Sequence, residues 1–164
     1  FDNRWGGDSM FQIRPMTYHD ASVISHWTYP DEFRIYSFEP SEELMAELLD
    51  GSYVACFNES KELVGYFCYG RSAQIPTVEN FNYSDDYLDI GLGLRPDLCG
   101  LGLGKDFLLC GMDYANRTFQ TKKLRLSVAG FNRRAISVYL TCGFRPLCAV
   151  TLKTNQMPFQ IMIR

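Results

Sequence analysis

Three glycines at alternate positions precede an apolar run of helical period in the stretch LCGLGLGKDF, residues 98–107. A strand is predicted before this loop and a helix after it, so the glycines lie at a helix N-terminus. The first N–H groups of a helix have no intrahelical partner, and the helix dipole adds positive potential there. Glycine lets the backbone approach an anion closely and adopt positive φ. The loop is therefore predicted to bind an anion, most naturally a phosphate.

The common nucleotide-binding motifs do not match this loop. A Walker loop, G-x-x-x-x-G-K-[ST], requires glycine where the sequence has Cys99 and a hydroxyl where it has Asp106. The dinucleotide fingerprint G-x-G-x-x-G also fails, because Gly100, Gly102 and Gly104 are evenly spaced. In addition, no following βαβ array supplies the rest of a Rossmann sheet. A glycine-rich turn without any ligand is the remaining alternative.

A second stretch, FNRRAISVYLTCGFRP at residues 131–146, combines a helix with a tyrosine that can donate a proton. Asn132 is predicted to cap this helix, and Gly143 is predicted to end it at the C′ position. Tyr139 follows Asn132 by about two helical turns. Its alternative interpretation is a core aromatic residue on the buried face of the helix.

Together the two stretches resemble the GNAT superfamily of N-acetyltransferases. The family's cofactor loop has an apolar residue, any residue, a proline and then [RQ]-x-x-G-x-[GA]. In LGLRPDLCGLGLGKDFL the matching residues are Leu94, Pro96, Gly102 and Gly104, whereas Cys99 stands where arginine or glutamine is usual. The family's second segment is matched by Asn132, Ala135, Tyr139, Gly143 and Phe144. The resemblance covers residues 10–164.

This resemblance implies acetyl-CoA as co-substrate, with its pyrophosphate on the N–H groups of residues 100–105. The pantetheine arm would bond to the backbone of the preceding strand, where that strand splays from its parallel neighbour. Asn132 would help to fix the arm, and Tyr139 would protonate the departing thiolate. The implied cofactor-binding set is Leu92, Gly93, Leu94, Cys99, Gly100, Leu101, Gly102, Leu103, Gly104, Lys105, Asn132 and Tyr139.

The general base is harder to assign. One branch of the family, the ribosomal-protein alanine acetyltransferases, carries a glutamate five residues before the helix-start asparagine, where this sequence has Ser127. Asp89, near the start of the splayed strand, is the candidate, because other members carry an acid on this strand. Its alternative is an exposed carboxylate at a strand end. The loop acids Glu79, Asp85 and Asp86 are interpreted as solvated.

The amine acceptor is predicted to lie against an aromatic connection between the first two helices. This connection, WTYPDEFRIYSF at residues 27–38, also carries Asp31 and Glu32. Aromatic rings favour an amine with an apolar or planar body. The predicted substrate-binding residues are Trp27, Tyr29, Phe33 and Tyr36. The alternative is that these rings pack into the core. The sequence does not distinguish among a protein N-terminus, a polyamine, an amino acid and an antibiotic as the acceptor.

The order of predicted elements gives a mixed α/β fold. Strands are expected at FQIRPM, SYVACFN, ELVGYFCYG, YLDIGLGL, KKLRLSV, FRPLCAVTL and PFQIMIR. Helices are expected from a Thr17–Asp20 capping box to Pro30, from Ser41 to Gly51, from Leu101 to about Thr118, and after Asn132. We therefore predict a GNAT-like domain over residues 10–164, with a mostly antiparallel twisted sheet of about seven strands, a splayed parallel pair and about four helices.

Composition excludes several other classes. A net charge of −3 over 164 residues, without a basic block, argues against a nucleic-acid-binding protein. No apolar run approaches membrane-spanning length, so a cytoplasmic enzyme without membrane partners is expected. The six cysteines form no C-x-x-C pair and are expected as thiols, with no metal site.

Residues 1–9 are interpreted as an extension, either native or left by expression. A monomer or homodimer is expected, and a non-catalytic acyl-CoA-binding module is the alternative to an N-acetyltransferase.

Overall fold

The computed structural model describes residues 10–164, so the predicted extension at residues 1–9 lies outside the described part. Seven strands are present: β1 Phe11–Pro15, β2 Tyr53–Asn58, β3 Leu63–Tyr69, β4 Leu88–Leu94, β5 Leu124–Ala129, β6 Arg145–Thr151 and β7 Pro158–Ile163. The α-helices are α1 Tyr18–Ser25, α2 Glu42–Leu48, α3 Gly104–Phe119 and α4 Arg133–Thr141. Short 3-10 turns occupy Asp31–Tyr36, Gly70–Ala73 and Pro96–Leu98.

The strands form one sheet in the order β1-β2-β3-β4-β5-β7-β6. Pairing is antiparallel between β1 and β2, β2 and β3, β5 and β7, and β6 and β7. β4 and β5 are parallel, and their ladder has two residue pairs, Leu88 with Leu124 and Asp89 with Arg125. The predicted fold class, a mostly antiparallel sheet of seven strands with one parallel pair and four helices, is confirmed.

The chain divides into two compact units, and β4 and α3 contribute to both. The first unit comprises the described residues up to Cys68 together with Leu92–Gly111. Aromatic rings form its core: the ring of Phe107 in α3 lies 4.5 Å from that of Phe67 in β3 and 5.6 Å from that of Phe11 in β1. Burial of these large apolar side chains fixes the start of α3 on the strands.

The second unit comprises Tyr69–Gly91 and Met112–Arg164. Its core is formed by alternate residues of β5 and β7, with Leu126 opposite Met162 and both side chains at most 2% exposed. Tyr69 stacks on Tyr114 of α3 with ring centroids 5.5 Å apart. This unit also contains Asp89 of β4 and Arg125 of β5, which are paired in the parallel ladder and are both buried.

Two predicted helix boundaries are wrong, each for a local reason. α1 begins with the predicted Thr17–Asp20 capping box, but it ends at Ser25 rather than at Pro30. There the Ser25 hydroxyl donates to the Ser22 carbonyl oxygen at 2.8 Å, a local bond that competes with helix propagation. α3 begins at Gly104 rather than at Leu101, because Gly102 has φ +80°, which lies outside the helical region.

Candidate active site

The glycine loop has the backbone conformation that its spacing predicts. Gly100 and Gly102 have φ values of +79° and +80°, and a Cβ added at Gly102 would meet nothing within 4 Å. Among the described residues, the N–H groups of residues 100–106 have no backbone acceptor; the first bond of α3 runs from Phe107 N–H to the Leu103 carbonyl. The loop therefore presents unused donors in front of a helix of sixteen residues.

Arg95 fixes the base of this loop to β3. Its N–H donates to the Val64 carbonyl at 2.8 Å, and its Nη1 donates to the Leu63 carbonyl at 3.0 Å. Its Nε also bonds Oδ1 of Asp97 at 2.6 Å, and this bond lowers the pKa of the Asp97 carboxyl. Arg95 thus anchors the short turn that leads from β4 into the glycines, a role that the sequence pattern around Arg95 does not indicate.

The end of β4 contacts two tyrosines of the first unit. The Tyr29 hydroxyl donates to the Leu94 carbonyl oxygen at 2.7 Å. The ring of Tyr66 lies against Gly93, where an added Cβ would come within 2.2 Å of the ring. Gly93 is therefore required for the close approach of Tyr66 to the strand.

Replacement of Gly93 by Ala is expected to lower the free energy of unfolding by about 1–3 kcal/mol, because Tyr66 is buried and has to shift. Urea unfolding of the purified variant measures this change. The matched control is Gly130→Ala, where the new Cβ would meet its nearest atom at 3.4 Å. Equal urea midpoints for Gly93→Ala and the unsubstituted protein would contradict the close contact between Gly93 and the Tyr66 ring.

The aromatic connection at residues 27–38, here called the acceptor segment, is half-buried. Trp27 lies 6.3 Å and Phe38 lies 5.6 Å from the ring of Tyr66, measured between centroids. Phe33 and Tyr36 pair with each other at 6.5 Å. These contacts are those that the alternative, inward packing, expects, and the acceptor wall stays a prediction. Tyr66 joins this cluster from β3, a long-range contact that sequence spacing does not reveal.

Asp89, the predicted base, lies in a buried ion pair with Arg125. Its Oδ1 accepts from Arg125 Nε at 2.6 Å, and its Oδ2 accepts from Arg125 Nη2 at 2.8 Å and from Gln74 Nε2 at 3.0 Å. Asp89 is 4% and Arg125 2% exposed, so the alternative of an exposed carboxylate is wrong. Protonation of Asp89 would weaken three hydrogen bonds and leave a buried cation without its partner, which argues against a role as base.

Aromatic rings surround the same arginine. Its guanidinium carbon lies 5.0 Å from the ring centroid of Tyr83 and 5.8 Å from those of Phe81 and Tyr87. Arg125 Nη2 also donates to the Ser84 carbonyl at 2.9 Å. These contacts order the long connection before β4, and the bond to Asp89 raises the pKa of Arg125. The loop acids interpreted as solvated, Glu79, Asp85 and Asp86, are exposed. Glu79 also accepts a hydrogen bond from the Thr151 hydroxyl, which lowers the Glu79 pKa.

The second motif has the predicted helix geometry. Oδ1 of Asn132 accepts from the Ala135 N–H at 3.2 Å, so Asn132 caps α4. Gly143 has φ +94° immediately after the helix. Tyr139 is 8% exposed, and its ring lies 6.0 Å from that of Phe144. The Tyr139 ring is therefore packed within the second unit, and its role as proton donor stays a prediction.

The predicted site residues fall into two sets. The first unit contains the acceptor segment, the end of β4 and the glycine loop, and it joins them through the Tyr29 bond to Leu94. The second unit contains Asp89, Asn132 and Tyr139. Over residues 10–164, no group of three His, Cys, Asp or Glu side chains is placed to hold a metal ion. No described helix has the length and apolar character to cross a membrane.

The model of the family described as Acetyltransferase (GNAT) domain matches residues 11–145. The chain belongs to the GNAT acetyltransferase family. Comparison with curated proteins gives no match. Solved GNAT structures share its fold at low identity. A chimera of the Vibrio cholerae spermidine N-acetyltransferase SpeG and hSSAT has 20% identity and a TM-score of 0.69, covering 94% of this chain and 95% of that chain.

Two further GNAT structures give the same result. A GNAT acetyltransferase from Bacillus anthracis has 11% identity and a TM-score of 0.70, covering 95% of both chains. The Vibrio cholerae spermidine/spermine N-acetyltransferase SpeG in complex with manganese ions has 19% identity and a TM-score of 0.66, covering 94% of this chain and 92% of that chain. At these identities the likeness establishes the fold of this GNAT chain, whose substrate has to be argued from its own residues.

Proposed function

We propose that this GNAT protein transfers an acetyl group directly from acetyl-CoA to the primary amine of a small cationic molecule. The observation that carries the proposal is the glycine loop, where two left-handed glycines and unused N–H groups precede α3. This geometry fits a pyrophosphate, because a Cβ at Gly102 would meet nothing within 4 Å and leaves room for a ligand. Acetyl-CoA supplies the acetyl group as an activated thioester.

Each set of residues has a separate task in this proposal. The N–H groups of residues 100–105 hold the pyrophosphate, and the backbone of Leu92–Leu94 holds the pantetheine arm. Asn132 contributes to the fixation of that arm in addition to its observed helix cap. The Tyr139 hydroxyl donates its proton to the thiolate that departs. Asp89 stays a prediction as base, and its buried ion pair with Arg125 argues against it.

The charge of the acceptor segment and the helix that follows it supports a cationic acceptor. From Asp31 to Asp50 the sequence has seven acidic residues and one basic residue, Arg34, whereas the whole chain has a net charge of only −3. Aromatic rings in the same segment add faces on which ammonium groups can bind. The SpeG structures with the same fold are named for spermidine, so we propose polyamines as the acceptor class.

Calorimetric titration with acetyl-CoA tests the proposal, with ATP and NAD as comparators. We expect selective binding in the micromolar range, and we expect Gly102→Glu to weaken it at least tenfold, because a carboxylate then lies beside the pyrophosphate. Gly51→Glu is the matched control, since Gly51 also has positive φ, at +97°, and nothing within 4 Å of an added Cβ. Gly51→Glu is expected to bind acetyl-CoA normally.

Other outcomes separate the alternatives. Equal binding of acetyl-CoA, ATP and NAD, or no binding, would overturn the proposed function and leave the family fold without it. Acetyl-CoA binding without release of CoA from spermidine, spermine, free amino acids or an N-terminal peptide would instead favour the non-catalytic acyl-CoA-binding module. Acetylation of the peptide but of no polyamine would overturn the proposed acceptor class alone.

A further inference from the structure

We infer that Tyr29 is a positioning residue that couples the acceptor segment to the glycine loop through the carbonyl oxygen of Leu94. The inference rests on the proposed function and deepens it, since it names the contact by which acetyl-CoA alters the amine side of the first unit. Its basis is the convergence of three parts of the chain on one oxygen atom.

The Leu94 oxygen has donors from two different directions in the sequence. The Tyr29 hydroxyl, from the acceptor segment, donates to it at 2.7 Å. The Cys99 thiol, from the start of the glycine loop, lies 3.7 Å from the same oxygen and 3.7 Å from the Arg95 oxygen. Leu94 itself is the last residue of β4. A change at this peptide therefore reaches the acceptor segment and the glycine loop together.

Tyr29 is suited to transmit such a change. Burial, followed by the neighbouring Cys99, raises its pKa, so its hydroxyl stays protonated and acts as a donor. Its backbone N–H donates to Oγ of Ser37 at 2.9 Å. This bond closes residues 29–37 into a loop, and displacement of the Tyr29 ring therefore moves a loop rather than a single side chain.

A ligand donor at the Leu94 oxygen has to compete with these contacts. A carbonyl oxygen has two lone pairs, and the phenol already holds one at a short distance. A pantetheine N–H would replace the weak thiol contact or displace the phenol. A second strong donor on the same oxygen weakens the phenol bond in the first case, and the phenol bond breaks in the second, so the Tyr29 hydroxyl shifts and the acceptor segment shifts with it. Acetyl-CoA binding is thereby expected to change the surroundings of Trp27 two residues away.

Fluorescence of Trp27 tests this coupling directly. The sequence has two tryptophans, so Trp5→Phe, outside the described residues, leaves Trp27 as the single one. In this background, acetyl-CoA is expected to change the Trp27 emission. Tyr29→Phe is expected to bind acetyl-CoA within about threefold of the parent by calorimetry, yet to lose more than half of the emission change. Tyr18→Phe removes a hydroxyl from an exposed tyrosine of α1 and is the control.

A second readout uses spermidine as the probe amine. We expect Tyr29→Phe to raise the KM for spermidine about fivefold with kcat within about twofold, since one hydrogen bond that positions the segment is lost. An unchanged emission response in Tyr29→Phe, together with an unchanged KM, would overturn the coupling while acetyl-CoA binding upheld the proposed function. Absence of acetyl-CoA binding in the parent would overturn both.

Discussion

Asp89→Asn is expected to destabilise the protein by about 3–5 kcal/mol, the range for removal of one partner from a buried ion pair. The variant keeps the size of the side chain but leaves the Arg125 guanidinium, 2% exposed, without a counter-charge. Asparagine has one acceptor oxygen instead of two, so one of the two Arg125 bonds is lost and an Arg125 N–H then faces the amide NH2 group, which is also a donor. Urea unfolding followed by circular dichroism measures the change, which is a large share of the stability of a typical domain.

Two further variants make this experiment decisive. Asp85→Asn alters an exposed acid of the same region and is expected to change stability by less than about 0.5 kcal/mol. Asp89→Leu combined with Arg125→Met removes both charges and is expected to be more stable than Asp89→Asn alone. An Asp89→Asn protein with full stability and much reduced turnover would instead support the predicted role as base.

Local sequence signals predicted most of the secondary structure. The capping box at Thr17, the cap at Ser41 and the cap at Asn132 all lie where their side chains bond the first helical turn. Such signals are read reliably because they involve residues three positions apart. The order of the strands within the sheet was not predicted, because it depends on contacts between residues that lie far apart in the sequence.

Contacts between residues far apart in the sequence could not be predicted from local patterns. Asp89 was recognised as an acid on β4, the strand on which other family members carry one. Its partner Arg125 lies 36 positions later, and its sequence context indicates only an ordinary strand residue. Tyr66 likewise gave no signal of its contact with Gly93 and Trp27. The positive φ of Gly100 and Gly102 was predictable because it depends on consecutive residues, whereas the surroundings of Asp89 depend on which strands pair.

Tyr139→Phe is expected to lower kcat about 100-fold or more while acetyl-CoA affinity stays within about twofold. General acid catalysis by a positioned side chain typically contributes at least this factor, and phenylalanine removes only the hydroxyl. Because Tyr139 is buried and its ring lies 6.0 Å from that of Phe144, the Phe ring is expected to keep this packing and the fold. Release of CoA, followed with a thiol reagent and spermidine as acceptor, measures the rate.

Tyr114→Phe is the matched control for this experiment, since it removes one hydroxyl from a tyrosine of α3 that stacks on Tyr69. It is expected to leave kcat unchanged. A protein that only binds acyl-CoA would be indifferent to both variants, because the proposed pyrophosphate donors are backbone N–H groups of residues 100–105. Full turnover in Tyr139→Phe would assign the thiolate proton to another donor, and the Tyr139 hydroxyl would then have no catalytic role. A selective loss in kcat would tie the packed ring of α4 to the chemistry, because a purely structural role acts on stability before it acts on kcat.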